Sequence, residues 1–288
     1  MSDDPAIALR GLTKGYRAKV VLDGVDLDVP RGSVVGLVGR NGAGKSTLIK
    51  CALGLIRSYA GEALLFGQDA RQPDDATKAR IGYAPQQPAL YPWLRVERMI
   101  AYTAAFYPRW DHALVERQVA DWGIERRAHV GALSPGQAQQ LAIVLALGHR
   151  PDLLVLDEPA AALDPAARRR FLAAVLEVAL DGARSVLFST HLIGDLERVA
   201  DRVAVLKAGR VVFSGGVDEL KESVKRLRVD GAVPDLPAEV LSRQGEGGRS
   251  LVTVRGRVTE ARAAVEAAGS TIEVEDLGLE DIFVELTA

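Results

Sequence analysis

The sequence predicts an α/β fold built around a parallel sheet. Three short apolar runs, at residues 33–39, 152–159 and 185–191, have the continuous hydrophobicity of strands that are buried on both faces. Segments with the helical spacing of apolar residues, including 45–56 and 137–147, stand between them. Strands that alternate with helices in this way are typical of βαβ units, and hence of a parallel sheet.

Further strands are predicted on both sides of this core. Residues 6–12 and 20–29 alternate apolar and polar positions, as half-buried strands do. Residues 61–67 are expected to form another strand, and residues 203–215 are expected to close the region as a hairpin.

The segment 76–130 is predicted to be mostly helical and to be inserted into the α/β core. It carries many aromatic residues, and those between 91 and 110 are expected to form the core of the insert, because large apolar side chains are more often buried than arranged around a ligand. These residues are Tyr91, Trp93, Tyr102, Phe106, Tyr107 and Trp110.

The character of the chain changes after about residue 222. Residues 233–250 are rich in proline, glycine and polar residues, and the following stretch up to 277 predicts a strand, a helix and a strand. We therefore expect two domains, a larger one over 1–222 and a small α+β appendage over 223–288.

Composition narrows the class of protein. The 288 residues are 48% hydrophobic and 26% charged, as in globular proteins, and the formal net charge of −2 gives no basic excess for nucleic acid. Cys51 is the single cysteine, which excludes an internal disulfide and fits a reducing compartment. The acidic N-terminus predicts no secretory signal. Apolar runs fall short of the roughly 18 residues of a membrane span, so we expect another chain to supply any span.

The segment "GRNGAGKST", residues 39–47, fits the phosphate-loop pattern G-x-x-x-x-G-K-[ST]. It follows a predicted buried strand and opens a predicted helix, which is the context that the pattern requires. Gly42 and Gly44 allow the backbone N–H groups to converge on phosphate oxygens, and the helix N-terminus adds a partial positive charge. Lys45 is expected to reach the β- and γ-phosphates, and the Ser46 hydroxyl to ligate Mg²⁺.

A pair of carboxylates ends the buried strand in "LLVLDEP", residues 153–159. Asp157 is expected to hold Mg²⁺ directly or through water, and Glu158 to polarise the attacking water. Acidic residues that merely end a strand are the alternative interpretation, which the nearby phosphate loop makes much weaker.

The segment "LSPGQ", residues 133–137, opens a long apolar helix. Ser134 is a good N-cap, Pro135 suits the first helical position, and Gly136 lets a ligand approach the backbone. A well-capped core helix is one interpretation. The other is a second anion site that faces the nucleotide of another copy, which predicts a head-to-tail dimer with ATP at each interface.

Together these motifs resemble those of the ATP-binding-cassette (ABC) ATPases. The resemblance covers residues 6–220 and follows the order of the family's motifs. It implies a P-loop NTPase core with an antiparallel β subdomain and a helical subdomain at about 88–150. It also identifies four further positions: an aromatic that stacks on adenine, a Q-loop glutamine in "YAPQQ", a D-loop aspartate in "AALDP" and a switch histidine in "STH". These are Tyr16, Gln86, Asp164 and His191.

The resemblance implies roles for individual residues. The catalytic residues implied are Lys45, Gln86, Glu158 and His191. The nucleotide-binding residues implied are Tyr16, Gly39, Asn41, Gly42, Ala43, Gly44, Lys45, Ser46, Thr47, Ser134, Gly136 and Asp164. Ser46, Gln86 and Asp157 are the implied ligands of Mg²⁺. Two departures stand in the signature, where Pro135 replaces the usual glycine and Gln140 replaces a frequent arginine. Proline suits its helix position, and Gln140 has no explanation in the sequence.

ATP and Mg²⁺ are therefore the expected cofactors, and a second ATPase subunit and a membrane permease are the expected partners. The chain is expected at the cytoplasmic face of the membrane, held there by the permease. The ending "LGLEDIFVELTA" and the segment "AFYPRWD", residues 105–111, resemble ATPases of drug, antibiotic or lipid exporters, and import remains the alternative direction.

Other functions remain open at this point. A soluble ABC ATPase, such as one of iron–sulfur assembly, would carry the same motifs and differ in its partner. The appendage could also make the chain a regulatory binding module. Tyr16 could be an ordinary strand-end aromatic, and His191 a structural histidine.

Overall fold

A computed structural model describes residues 4–17, 19–180, 182–246 and 248–288. The chain forms two compact units, one up to Val211 and one from Val212 onward. The division falls inside one strand, Arg210–Gly216.

The strands and helices follow one another in an α/β order over most of the first unit. The strands are β1 (Ile7–Tyr16), β2 (Lys19–Val29), β3 (Val34–Gly39), β4 (Ala60–Leu65), β5 (Gln68–Asp69), β6 (Ile81–Ala84), β7 (Leu153–Asp157), β8 (Ser185–Thr190), β9 (Arg202–Lys207), β10 (Arg210–Gly216), β11 (Val224–Asp230), β12 (Glu239–Glu246), β13 (Arg249–Arg255) and β14 (Thr271–Asp276). The helices are α1 (Lys45–Ala52), α2 (Asp75–Lys78), α3 (Val96–Ala104), α4 (His112–Asp121), α5 (Pro135–Leu147), α6 (Pro165–Ala179), α7 (Ile193–Val199), α8 (Val217–Ser223), α9 (Val258–Ala267) and α10 (Leu279–Thr287).

The first sheet is antiparallel and has the order β2-β1-β4-β5. Ile7 lies opposite Val29, and Leu9 lies opposite Leu27, so the alternating apolar residues of the two long strands share one buried face. The half-buried strands predicted from alternation are confirmed.

The second sheet has the order β10-β9-β3-β8-β7-β6. The three predicted buried strands are β3, β7 and β8, and β8 pairs in parallel with both of the others. The α/β prediction is confirmed. The turn between β9 and β10 consists of Ala208 and Gly209, both with positive φ, as a two-residue hairpin turn requires.

The prediction that residues 76–130 are mostly helical is wrong at β6, which pairs in parallel with β7. This strand has four residues, too few to show a period in the sequence, and its partner strand supplies the hydrogen bonds that stabilise it. Helix α2 also has only four residues.

The predicted aromatic core of the insert is wrong for four residues. Tyr91 is 37% exposed, Trp93 69%, Tyr102 44% and Phe106 67%. Aliphatic side chains of α3 and α4 take the buried positions instead, together with Trp122 and Ile124. Tyr107 and Trp110 are half-buried at the end of α5.

The second unit contains an antiparallel sheet of order β12-β13-β11-β14. Helix α9 supplies Ala261 and Val265 to a core that also contains residues of β11 and β13. The strand–helix–strand prediction corresponds to β13, α9 and β14. Strands β11 and β12 and helix α10 were not predicted, and β12 lies inside the segment interpreted as rich in loop residues. Its position at the sheet edge explains the polar sequence, because an edge strand is partly solvated.

Among the described residues, none of the helices combines the length and the hydrophobicity needed to cross a lipid bilayer.

Candidate nucleotide-binding site

The phosphate loop connects the buried strand β3 to helix α1. Gly42 has φ +81° and Gly44 has φ +110°, a left-handed region that disfavours residues with a β-carbon. A β-carbon on Gly44 would also lie 3.0 Å from the Val21 carbonyl oxygen. The Ala43 N–H donates to the Arg40 carbonyl at 3.0 Å, which closes the turn. Local sequence therefore explains why the loop curls directly in front of the helix N-terminus.

The Lys45 side chain is buried beneath this loop. Its Nζ donates to the Gly39 carbonyl at 2.8 Å and forms an ion pair with Glu158 Oε1 at 2.9 Å. The other carboxylate oxygen of Glu158 lies 2.7 Å from His191 Nδ1. Glu158 is itself buried, and a buried charge needs a partner, which Lys45 provides. Lys45 and His191 together set the orientation of the Glu158 carboxylate.

Asp157 lies at the end of β7, next to the phosphate loop. Its Oδ1 accepts hydrogen bonds from Ser46 Oγ at 3.0 Å and from Ser189 Oγ at 2.8 Å. A hydroxyl and a carboxylate beside a phosphate loop fit Mg²⁺, which prefers oxygen ligands and takes several of them from substrate phosphates and water. Among the described residues there is no group of three or more His, Cys, Asp or Glu side chains that could hold a metal by themselves. The donor set therefore fits Mg²⁺ that arrives with a nucleotide.

Lys45, Ser46 and Glu158 line one cavity of about 440 Å³, whereas Asp157 and His191 are not part of its lining. Tyr16 stands at its edge, half exposed at the end of β1, with Lys14 Nζ 5.2 Å from its ring centroid. Gln86 reaches the cavity from the loop after β6. Gly39 and Ala43 are buried within the loop. The lining consists of Tyr16, Val21, Asn41, Gly42, Gly44, Lys45, Ser46, Thr47, Gln86 and Glu158.

The residues of the signature segment do not line this cavity. Ser134 forms a capping box with Gln137: Ser134 Oγ accepts from the Gln137 N–H at 3.2 Å, and Gln137 Oε1 accepts from the Ser134 N–H at 3.0 Å. Pro135 occupies the first position of α5. The helix cap predicted from the sequence is confirmed, and the Ser134 side chain is exposed.

Gly136 has a packing reason to be glycine. A β-carbon there would lie 2.8 Å from the Ala162 carbonyl oxygen. The loop that contains Ala162 leads to Asp164, whose Oδ1 accepts from the N–H groups of Ala166 and Ala167, both at 2.8 Å. These bonds lower the pKa of Asp164 and begin helix α6. The signature and the D-loop therefore lie side by side.

Two residues with contacts in this region were missed in the sequence analysis. Ser189 hydrogen-bonds to both acidic residues, and Gln139 Nε2 donates to the Pro85 carbonyl at 3.3 Å, directly before Gln86. The only signal for Ser189 was a polar residue at the end of a buried strand. Gln140 is buried on α5, and nothing in the structure explains why it replaces arginine.

Comparison with known proteins identifies the family. The profile of the ABC transporter family matches residues 22–161. The daunorubicin resistance ATP-binding protein DrrA3 of Streptomyces coeruleorubidus is 32% identical to this chain. The alignment, which is 310 residues long with its gaps, covers 99% of this chain and 96% of that protein. The chain belongs to the ABC transporter ATP-binding family. This ABC ATPase therefore hydrolyses ATP and binds it together with Mg²⁺.

A relative that is named for import matches as well. The methionine import ATP-binding protein MetN of Rhizobium etli is 33% identical over 279 residues, covering 92% of this chain and 77% of that protein. Family membership therefore establishes an ATPase and leaves the direction of transport open.

Solved structures share the fold. The ATP-binding subunit of an ABC transporter has a TM-score of 0.68 and 30% identity, and the match covers 75% of this chain and 92% of that chain. A bacterial ABC transporter cassette solved as a dimer has a TM-score of 0.66 and 24% identity, with coverage of 73% and 98%. ABC ATPases act as dimers together with a membrane permease.

Proposed function

We propose that this chain is the ATPase subunit of an exporter for a drug, an antibiotic or a lipid-like molecule, and that it acts as a homodimer at the cytoplasmic face of the membrane. Two Mg-ATP molecules would lie between the subunits. The main support is the division of the anion-binding groups into two surfaces. The phosphate loop lines the cavity, whereas the exposed Ser134 at the start of α5 lies outside it.

This division of the anion-binding groups supports a dimer. A helix N-terminus attracts anions because its first N–H groups have no partner within the helix. Ser134 and Gly136 of the partner subunit would contact the γ-phosphate of an ATP that rests on the phosphate loop. Since ADP lacks that phosphate, hydrolysis removes the contact that favours the closed dimer.

In the proposed reaction, ATP exchanges the partners of Lys45. Phosphate oxygens replace the Glu158 carboxylate on Lys45 Nζ, which frees Glu158 to accept a proton from the attacking water. His191, which contacts Glu158, can donate toward the phosphate. Ser46, Asp157 and Gln86 would hold the Mg²⁺ that the nucleotide brings, and this ion offsets the phosphate charge. Tyr16 would stack on adenine.

Export is supported by the likeness to DrrA3, which is named as a daunorubicin resistance ATP-binding protein. The alignment spans nearly the whole of both chains. The permease contact is supported by an exposed row of aromatic rings on the helical insert. Neighbouring ring centroids in this row are 5.2, 5.3 and 5.2 Å apart. Exposed apolar patches of this kind mark protein interaction sites. We name this row, which consists of Trp93, Tyr91, Tyr102 and Phe106, the aromatic ridge.

The first test replaces the proposed base. Glu158→Gln should lower ATP hydrolysis by about 100-fold or more, because an amide cannot accept the proton. With saturating Mg-ATP the variant should sediment as a dimer. Glu177→Gln, at an exposed position of α6, is the control. Hydrolysis at the parental rate would disprove the role of Glu158, and a variant that stays monomeric with ATP would disprove the nucleotide-bridged dimer.

The second test adds a charge without removing the helix cap. Aspartate is as good an N-cap as serine, so Ser134→Asp preserves α5 but repels phosphate. In the Glu158→Gln background it should abolish the ATP-dependent dimer, while each monomer still binds a fluorescent ATP analogue. A dimer that survives would show that Ser134 does not face the nucleotide.

A further inference from the structure

We infer that Ser189 is a positioning residue that orients both acidic residues of the ATPase site through one hydroxyl group. The inference rests on the roles proposed for Asp157 and Glu158. Ser189 is fully buried on β8, and the parallel pairing of β7 with β8 places it opposite Asp157. Its Oγ accepts a hydrogen bond from the Glu158 N–H at 2.9 Å and donates one to Asp157 Oδ1 at 2.8 Å.

Glu158 needs such a partner because of its backbone. Its φ is +47°, in the left-handed region that residues with a β-carbon rarely adopt. The strand β7 ends at Asp157, so the Glu158 N–H leaves the sheet ladder and points to Ser189 Oγ. A buried donor without an acceptor is unfavourable, and this bond therefore stabilises the turn that directs the Glu158 carboxylate toward Lys45 and His191.

Asp157 needs the Ser189 hydroxyl group for a different reason. In the structure its Oδ1 accepts from two hydroxyl groups, those of Ser46 and Ser189. If the Ser46 hydroxyl turned to Mg²⁺, Ser189 would still donate to the same oxygen. The rotation of the carboxylate is thus set by a residue that does not itself contact the ion. Residues behind the direct ligands of a metal commonly set ligand orientation in this way.

The same strand provides a matched control. Ser185 lies four residues before Ser189, on the same face of β8, and is equally buried. Its Oγ accepts from the Gly32 N–H at 3.0 Å and has no contact with either acidic residue. Ser185→Ala therefore removes a buried hydroxyl group and one hydrogen bond from β8 without touching the site.

The experiment compares Ser189→Ala, Ser189→Thr and Ser185→Ala in the full chain. For Ser189→Ala we expect kcat to fall by about 10- to 100-fold, the usual effect of losing a residue behind a metal ligand, while KM for ATP changes less than about twofold. Independently of turnover, the Mg²⁺ concentration needed for half-maximal binding of a fluorescent ADP analogue should rise by about 10-fold. Ser189→Thr retains a hydroxyl and should restore both values in part. Ser185→Ala should change neither, although its melting temperature falls.

Each outcome decides the inference. It is overturned if Ser189→Ala retains the parental kcat, or if kcat falls with an unchanged Mg²⁺ dependence. It is also overturned if Ser185→Ala shows the same losses, because the effect would then reflect stability alone. If the Thr variant unfolds early, Ser189→Cys, which is close to serine in size, takes its place and should give intermediate values. Parental hydrolysis by Glu158→Gln would instead reject the proposed function. An inactive Glu158→Gln with a parental Ser189→Ala rejects only the inference.

Discussion

At the residue scale, a histidine whose pKa is lowered by burial lies outside the ATPase site. His149 follows α5 and is 3% exposed. Its ring stacks on Tyr107 with the centroids 3.9 Å apart, and its Nε2 donates to the Ile81 carbonyl at 3.1 Å. Burial lowers the pKa of His149 to about 4, and the charge of Arg109 acts in the same direction, against the hydrogen bond. The ring is therefore neutral near pH 7.

This residue predicts a pH dependence of stability. The pKa of His149 is about 4 in the folded chain and about 6.5 when it is unfolded. Between these values the unfolded chain binds one more proton, so the free energy of unfolding falls as the pH drops from 6.5 to 4. The loss attributable to His149 is up to about 3 kcal/mol.

The prediction is tested by measuring the free energy of unfolding in urea at several pH values between 7.5 and 4.5. His149→Phe keeps a ring against Tyr107 but cannot titrate, so it should lose this component of the slope. The control is His112→Gln, which removes a histidine at an exposed position. Equal slopes for the parent and His149→Phe would show that His149 is not held neutral.

At the scale of elements, the segment "AFYPRWD" packs on the C-terminal end of α5. A β-carbon on Gly148 would lie 2.5 Å from the Trp110 ring. The Asp111 N–H donates to the Gly148 carbonyl at 2.7 Å, and Arg150 Nε donates to Asp111 Oδ2 at 2.6 Å. The segment therefore anchors the helix whose other end carries the signature.

Overpacking at this contact should destabilise the chain. Gly148→Ala is expected to lower the free energy of unfolding by about 1–3 kcal/mol, because the indole ring is part of a packed contact. Gly194→Ala is the control, since a β-carbon there meets no atom within 4 Å in helix α7. It should raise stability by up to about 1 kcal/mol. Chemical denaturation measures both values, and a neutral Gly148→Ala would contradict the close contact.

At the scale of the whole molecule, the proposed permease contact can be separated from ATP hydrolysis. The aromatic ridge contains none of the residues that line the nucleotide cavity. Trp93→Ser combined with Phe106→Ser should therefore leave hydrolysis by the isolated subunit unchanged. The free energy of unfolding should change by no more than about 0.5 kcal/mol for each substitution, since both side chains are exposed.

The same double variant should lose co-purification with the permease. Leu55→Ser combined with Tyr59→Ser removes exposed apolar side chains elsewhere in the first unit and serves as the control. Undiminished capture of the permease by the Trp93/Phe106 variant would remove the ridge from the proposal. Capture of a soluble scaffold in place of a permease would favour the iron–sulfur alternative.

Much of the fold and of the site could be predicted because the decisive patterns are local. The phosphate loop needs glycine at 42 and 44 for its backbone conformation, and neighbouring residues reveal the strand and helix around it. The Asp157–Glu158 pair could also be predicted, because it directly follows an apolar run in the sequence. The roles of these residues and the domain boundaries at 222 and 223 stay predictions. The prediction of an aromatic core was wrong for four residues, because hydrophobicity alone does not say which ring faces inward.

The amino-acid sequence alone determined the α/β class, the family and the chemical groups available for phosphate and Mg²⁺. These depend on backbone preferences and on residue types within a few positions of one another. Only the tertiary structure decided which groups meet: Lys45 with Glu158, Ser189 with both acidic residues, and Tyr107 with His149. For the first two contacts the reason is the order of the sheet, in which β8 lies between β3 and β7. That order results from packing across the whole core, and no local pattern specifies it.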